Sequence, residues 1–498
     1  MKLIIWTLFL VFNLTLAINI GGLNSNQLLT IQGSASSSAN YEFPVSNAGD
    51  VNNDGKDDFI IGSYGDKESA YLIYGTDTFT PINIDFPNFA LTPGSAGVRI
   101  QQAALWDGFG QAVSGAGDLD GDGYADILIG AYRKSSYAGA VYVIYGGSGL
   151  PGLINLTATN LDPTSTGFRV SADKDDTHLG ISVSKAGKFN DDRFDDIVIG
   201  IRQYESTIGA AFVVYGGERS SRQNIVFRSD GTFDVGGAGM LILGNANGDY
   251  FGSAVSFAGD VNKDGYDDII VGAPKKDSNK GAVYVIYGGK TADLSKIDLK
   301  NTLAANRGFK ITGNAQDDYF GCSVSSAGDV NGDGYADIIV GAYGKDSGKG
   351  MAYIIYGSQN PPTIDVSNLD PASTGFTIKG ASTGGQFGFS VRSVKDLNKD
   401  GKSEVIIGAN KQGGSSKGAV YVIYGGSSSH IDLSSTILDP TKNGFVISRD
   451  TANGNFGFSV HSGDFDGDNK PELFVGTSAQ LSTVNAGYII DLSSKLGD

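Results

Sequence analysis

An acidic nonapeptide recurs seven times along this chain of 498 residues, and its clearest copies are Asp118–Asp126 (DLDGDGYAD) and Asp329–Asp337 (DVNGDGYAD). The copies begin at Asp50, Asp118, Lys188, Asp260, Asp329, Asp396 and Asp464, 67 to 72 residues apart. Spacing that even marks one unit repeated along the chain rather than motifs scattered over several domains.

Each copy sets oxygen atoms at alternate residues. A hard cation such as Ca2+ takes six to eight oxygens at about 2.3–2.6 Å, and a tight turn supplies most of them from side chains at positions one, three, five and nine plus the carbonyl of position seven. In the second copy these are Asp118, Asp120, Asp122, Asp126 and the carbonyl of Tyr124. Gly123 at position six takes the positive φ that the turn requires. The first copy offers Asp50, Asn52, Asp54, Asp58 and the carbonyl of Lys56; the fourth Asp260, Asn262, Asp264, Asp268 and Tyr266; the fifth Asp329, Asn331, Asp333, Asp337 and Tyr335. The sixth and seventh end in glutamate: Asp396, Asn398, Asp400, Glu404 with Lys402, and Asp464, Asp466, Asp468, Glu472 with Lys470. Ca2+ is the expected cofactor, and the competing reading is an acidic hairpin turn with no ion, against which six concordant copies weigh.

The third copy departs from the rule, with Lys188 in place of the first carboxylate and Arg193 in place of the turn glycine. It reads as metal-free. Its ammonium replaces the ion's charge beside Asn190, Asp192 and Asp196, or the loop is an ordinary solvated turn. In the seventh copy Asn469 holds the glycine position, which asparagine tolerates better than most residues. An EF-hand would need a twelfth-position glutamate and a following helix, whereas these loops run into β-branched stretches such as Ile269-Ile270-Val271. The loops therefore join two strands.

The remainder of each unit is also β in pattern: a GFxIxG-like run (Gly308 to Gly313), an alternating run (Phe320 to Ser325), the acidic loop, an apolar run ending in Gly-Ala, and a GAVYVIYGG run (Gly281 to Gly289). The ordered set Phe251-Gly252, Asp260 to Asp268, Gly272-Ala273-Pro274 resembles the FG-GAP repeat of integrin α-subunit head domains, found also in glycosylphosphatidylinositol-specific phospholipase D. The resemblance implies an all-β, seven-bladed β-propeller with Ca2+ in the hairpin loops of several blades. Ligand would then bind on the face away from most metal loops. Departures fall at Phe43-Pro44, Leu179-Gly180, Gly62-Ser63, Gly200-Ile201 and Gly476-Thr477.

The repeats read as residues 28–75, 97–147, 167–217, 239–289, 308–357, 375–426 and 444–490. A short strand such as Ile364-Asp365-Val366 lies between most repeats, and the last repeat lacks one. Ile18-Asn19-Ile20 supplies it from the other end, so the N-terminal strand is expected to complete the seventh blade and leave no open edge.

Met1 to Ala17 has the pattern of a secretory signal peptide, leaving 18–498 as the propeller. No other stretch is apolar over membrane length, so a secreted, extracellular protein is expected. Asn155-Leu156-Thr157 is a glycosylation sequon. The single cysteine, Cys322, precludes an internal disulfide and reads as a buried thiol. The net charge of −17 argues against nucleic acid as a partner.

Basic residues cluster after the Gly-Ala segments: Lys67, Arg133, Lys134, Arg202, Lys275, Lys276, Lys280, Lys345, Lys349, Lys411 and Lys417. Strand alternation places them opposite the metal loops. They form either a ring that docks an anionic ligand or a set of solvated loop lysines.

Catalysis finds little support in His178, His430 and His461, which are far apart in sequence. The segments Gly380 to Gly384 and Gly414 to Gly418 match a nucleophile elbow by letters alone. The expected function is a non-catalytic interaction or cell-adhesion module with an extracellular protein or glycan ligand. The alternatives are a carbohydrate-binding lectin and a propeller like the non-catalytic part of the phospholipase. A second subunit is left open.

Overall fold

The computed structural model describes residues 17–20, 23, 27–34, 41–63, 69–78, 81–84, 96–102, 106–156, 161–205, 207–228, 230–232, 234, 237–291, 294, 296–449, 453–479 and 483–492. Residues 1–16 of the expected signal peptide (1–17), Lys67 and Thr157 of the sequon lie outside them.

Seven five-stranded sheets form a seven-bladed β-propeller. Blade four shows the plan: Ala254–Gly259 lines the channel, Asp268–Ala273 and Ala282–Ile286 follow antiparallel, and Gly308–Thr312 is the fourth strand. A fifth strand, Ile364–Asp365, is added parallel from the chain that leads into the next outer strand. The second strand is buried on both faces, which is why it is an unbroken run of Ile, Val, Gly and Ala rather than an alternating one. Apolar cores lie between neighbouring blades; one joins Ile60 and Leu72 of blade one to Phe109 and Ile127 of blade two.

Packing explains both halves of the repeated motif. The phenylalanine sets its ring edge-on against the tyrosine of the third strand, as in Phe251–Tyr284 at 5.5 Å and Phe320–Tyr353 at 5.1 Å between centroids. The glycine of Gly-Ala receives the backbone of the next blade. A Cβ on Gly272 would stand 2.2 Å from the Gly321 carbonyl oxygen, and Gly321 itself is at φ +86°. Only glycine fits both positions. Cys322 is packed at the same seam, and burial lifts its thiol to about 11.

The ring closes through the N-terminal chain, one strand further along than Ile18-Asn19-Ile20 suggested. Leu28–Ser34 is the fourth strand of blade seven, antiparallel to Thr483–Ile490. Ala17–Asn19 instead runs parallel to Gly444–Ser448 as the fifth strand of blade six, pairing Ile18 with Ile447. The GFxIxG-like run is thus the outer strand of the blade before it, so each blade straddles two sequence units. Tyr41–Glu42 and Ser478–Ala479 add a two-stranded clasp at the closure.

Candidate cation loops

Each acidic nonapeptide forms the hairpin between the first and second strands of its blade, so all seven loops lie on one face. The loops are hydrogen-bonded into a chain around the ring. The position-eight N–H donates to the position-one carbonyl of the preceding loop: Ala125 to Asp50 at 3.1 Å, Asp195 to Asp118 at 3.1 Å, Ala336 to Asp260 at 3.2 Å, Ser403 to Asp329 at 2.9 Å, and Asp57 to Asp464 at 2.8 Å across the closure. Pro471 occupies position eight in blade seven and has no N–H to give.

Within a loop the position-one carboxylate gathers backbone donors. Asp50 accepts from Asp54 N–H at 2.9 Å and Gly55 N–H at 2.8 Å; Asp260 accepts from Asp264 at 3.0 Å and Gly265 at 2.9 Å; Asp329 accepts from Gly332, Asp333 and Gly334. Asp396 accepts from Asp400 and Gly401, and Asp464 from Asn469. Position three accepts from the position-five N–H, and position five from the position-seven N–H, as in Asn262, Asp264 and Tyr266. These contacts tie the side chains of positions one, three and five to the turn's backbone N–H groups, the position-seven N–H of Lys56, Tyr266, Tyr335, Lys402 and Lys470 among them.

Position nine has a second role that its sequence pattern concealed. Asp58 accepts from Val51 N–H at 2.9 Å and Gly75 N–H at 2.8 Å, pinning the loop's entrance to the end of the third strand. Asp126, Asp196, Asp268 and Asp337 make the same pair of bonds, with Leu119 and Gly146, Asn190 and Gly216, Val261 and Gly288, and Val330 and Gly357. Blade three keeps this anchor although its first ligand is a lysine, so the anchor belongs to the hairpin as well as to any ion.

Blades six and seven differ. Glu404 accepts from Leu397 N–H through Oε2 at 2.7 Å, while its buried Oε1 has no hydrogen-bond partner. Carboxylate oxygens of Asp396, Asp400 and Glu404 lie within 4.8 Å of one another, as do those of Asp464, Asp466 and Glu472, and buried Asp464 Oδ1 is likewise unpartnered. An orphaned carboxylate oxygen inside such a cluster fits a hard divalent cation, which supplies the missing partner and offsets the mutual repulsion. Burial lifts Glu404 to about 8 and Asp58 to about 8, against the backbone N–H bonds that oppose it; burial and the charge of Asp466 lift Glu472 to about 9. A bound cation would return these groups to the ionised form.

Two loops carry a basic side chain of the chain itself, although in blade two carboxylate oxygens of Asp118, Asp120 and Asp122 also lie within 4.8 Å of one another. In blade three the Lys188 ammonium donates to the Arg193 carbonyl at 2.9 Å rather than to Asp192 or Asp196. In blade two, the clearest copy in the sequence, Arg219 reaches over from a turn that follows the third strand of blade three. Its Nε donates to Asp120, its Nη2 donates to Asp122 at 2.6 Å, and its guanidinium lies 4.5 Å from the centre of the Tyr145 ring. The Asp120 side chain is 1% exposed. Two of the proposed ligands in this loop are thus bonded to a cation built into the chain.

On the opposite face, several of the clustered basic residues are ion-paired within the fold. Lys134, Lys276 and Lys345 bond Asp107, Asp249 and Asp318 at 3.3, 2.8 and 2.8 Å, each aspartate lying just before the inner strand of the lysine's own blade. The Lys276 side chain is 8% exposed. Arg202 and Lys275 lie over the Tyr250 ring, and Arg202 also bonds His178 Nδ1 at 3.1 Å. Burial first, then Arg202, holds His178 down at about 4. Nor do the histidines meet: His430 accepts from the Thr377 N–H near an outer strand, while His461 lines the channel. Ser382, in one of the elbow-like segments, donates to Oε1 of the Gln412 side chain from a turn.

The FG-GAP repeat family model matches residues 109–144, 251–286, 320–356, 387–423 and 456–490, one copy in each of blades two, four, five, six and seven. Blades one and three, with Phe43-Pro44 and Leu179-Gly180, lie outside these spans. Among curated proteins, integrin alpha pat-2 of Caenorhabditis elegans is 36% identical over 231 residues, covering 46% of this chain and 17% of its own. Integrin alpha-PS2 of Drosophila melanogaster is 26% identical over 333 residues, covering 62% and 21%. Integrin alpha-5 of Xenopus laevis is 28% identical over 244 residues, covering 47% and 20%. The chain therefore spans about a fifth of the length of these relatives.

Proposed function

The chain carries FG-GAP repeats and is an integrin α-like β-propeller; from that premise we propose that it is a secreted, Ca2+-binding, non-catalytic module for extracellular adhesion. The observation that carries the cation reading is the unpartnered Glu404 Oε1 held inside a carboxylate cluster. In this reading Ca2+ is held by the loops of blades one, four, five, six and seven. The ligands are Asp50, Asn52, Asp54 and Asp58; Asp260, Asn262, Asp264 and Asp268; Asp329, Asn331, Asp333 and Asp337; Asp396, Asn398, Asp400 and Glu404; and Asp464, Asp466, Asp468 and Glu472. The position-seven carbonyls complete each set.

The ion's contribution is mechanical. It neutralises each acidic hairpin and, through the amide-to-carbonyl chain around the ring, stiffens neighbouring blades together. A rigid disc presents its opposite loops in a fixed arrangement to a protein ligand, which lowers the ordering cost of binding. No helix among the described residues is long and apolar enough to cross a membrane.

Affinity capture from an extracellular surface, in calcium and again in chelator, tests the proposal. Partners retained only in calcium support it. The same partners retained equally in chelator would detach adhesion from the cation loops.

A further inference from the structure

The central channel carries a concentration of positive charge at odds with the chain's net charge of −17. At one register of the inner strands, set by pairing with the third residue of the second strand, blades one to five place Ser46, Ser114, Ser184, Ser256 and Ser325. Blades six and seven place Arg392 and His461 there. Both line a cavity of about 500 Å3 together with Lys185, Lys395, Asn47, Phe257, Ser326, Ser393 and Ser462.

Among the described residues no carboxylate is bonded to Arg392 or Lys185. Among the described residues Arg392 donates through Nη1, to the carbonyls of Val324 at 3.2 Å and Val391 at 3.5 Å, and burial pulls its guanidinium down to about 10. His461 is held neutral, at about 3, by burial first and by the charges of Arg392 and Lys185, so both cations act on one point of the channel. Lys185 lies 5.0 Å from the centre of the Phe257 ring. Among the described lining residues the only carboxylate is Asp57, and its Oδ2 accepts from Asn47 at 2.8 Å and from the Asp464 N–H at 3.0 Å. Asp267 lies near Lys185 but outside the lining, and accepts from the Lys188 N–H at 2.8 Å. Burying the Arg392 guanidinium with no bonded carboxylate among the described residues has a desolvation cost that an entering anion would offset.

We propose that the central channel is a binding site for a small oxyanion, a carboxylate or sulfate carried on a molecule no larger than a monosaccharide, held by Arg392 and Lys185. The guanidinium contributes its remaining N–H groups in fork geometry and the ammonium a second charge. Ser326, Ser393 and Ser462 face the same space and meet hydroxyl groups on the ligand.

Calorimetric titration of the full chain in calcium, at fixed ionic strength, uses glucuronate and inorganic sulfate as probes and glucose as the neutral control. Saturable binding of glucuronate, of sulfate or of both is expected, and none of glucose. Sulfate alone identifies a bare-ion site, while glucuronate identifies one that admits an acidic sugar. Arg392→Ser installs the residue of the sister strands and should weaken binding roughly tenfold or more, the worth of one hydrogen bond to a charged group. Lys185→Ala, at an exposed side chain, should weaken it in the same direction and decides the matter if the arginine variant folds poorly. Absence of binding by the wild-type chain, binding of glucose as tight as that of glucuronate, or affinity unchanged in Lys185→Ala overturns the proposal. Repeating the titration in chelator separates this site from the cation loops, because its residues are not loop ligands.

Discussion

The cation loops of blades two and six share a sequence pattern and diverge in what balances their charge. In blade two, Asp120 and Asp122 are bonded to Arg219 of the neighbouring blade, and both oxygens of Asp126 are taken by backbone N–H groups. In blade six, Asp396, Asp400 and Glu404 converge with no basic side chain of the described residues bonded to them, and Glu404 Oε1 is left without a partner among these. The contrast teaches that an acidic hairpin is a demand for positive charge, which a metal or a reaching arginine can meet. Which one answers is decided by a residue about a hundred positions away.

The largest expected effect is removal of all divalent ions. Each loop that fills only in the folded state adds about 1.4 kcal/mol when free calcium is tenfold above its Kd, so several loops together should lower the melting temperature sharply in chelator. Scanning calorimetry with and without chelator checks this, and coincident curves would erase the distinction between blades two and six.

Next comes pH. Burial raises Asp196 and Asp337 to about 7, Asp58 and Glu404 to about 8, and Glu472 to about 9. A carboxyl raised in the folded state stabilises the fold fully below its unfolded pKa, and that stability is lost as pH rises through the folded value. Chelated protein should therefore become less stable between pH 5 and pH 9, and calcium should flatten much of the slope. Urea titrations at stepped pH provide the test; a chelated protein as stable at pH 9 as at pH 5 would contradict it.

Arg219→Gln sharpens the comparison directly. In chelator it should cost about 1–3 kcal/mol, because it strips a charged partner from buried Asp120. In calcium it should recover part of that loss by opening the blade-two loop to an ion. A loss that calcium does not reduce would mean that the arginine is not standing in for a cation. Lys188→Ala should have the smallest effect, about 1 kcal/mol or less, since it removes one exposed bond to a carbonyl. It should add no calcium response, because blade three still lacks a first carboxylate; a new response would place the blade-three loop with that of blade six.

The repeat, the β architecture and the loop positions were legible because each rests on local pattern: β-branched runs, Phe-Gly, Gly-Ala and alternating oxygens. What escaped the sequence was long-range. Arg219 follows Gly216-Gly217 in what reads as an ordinary surface turn, and only the neighbouring blade's position makes it a partner of Asp120. Ile18 lies in the kind of strand its sequence suggests, yet its partner is Ile447 of blade six, because the outer strand of each blade is contributed by the following sequence unit. The dual role of Asp58 was hidden because a ligand and a hairpin anchor call for the same carboxylate. Lys276 read as a loop residue because its partner Asp249 lies 27 positions earlier, before the inner strand.

Native mass spectrometry of the refolded chain, loaded with calcium and compared with Arg219→Gln, counts the cations each chain retains. The wild-type chain should retain one ion for each of the loops of blades one, four, five, six and seven, and the variant one more. A wild-type chain that retains no ions specifically, or a variant with the same count as the wild type, would contradict the account.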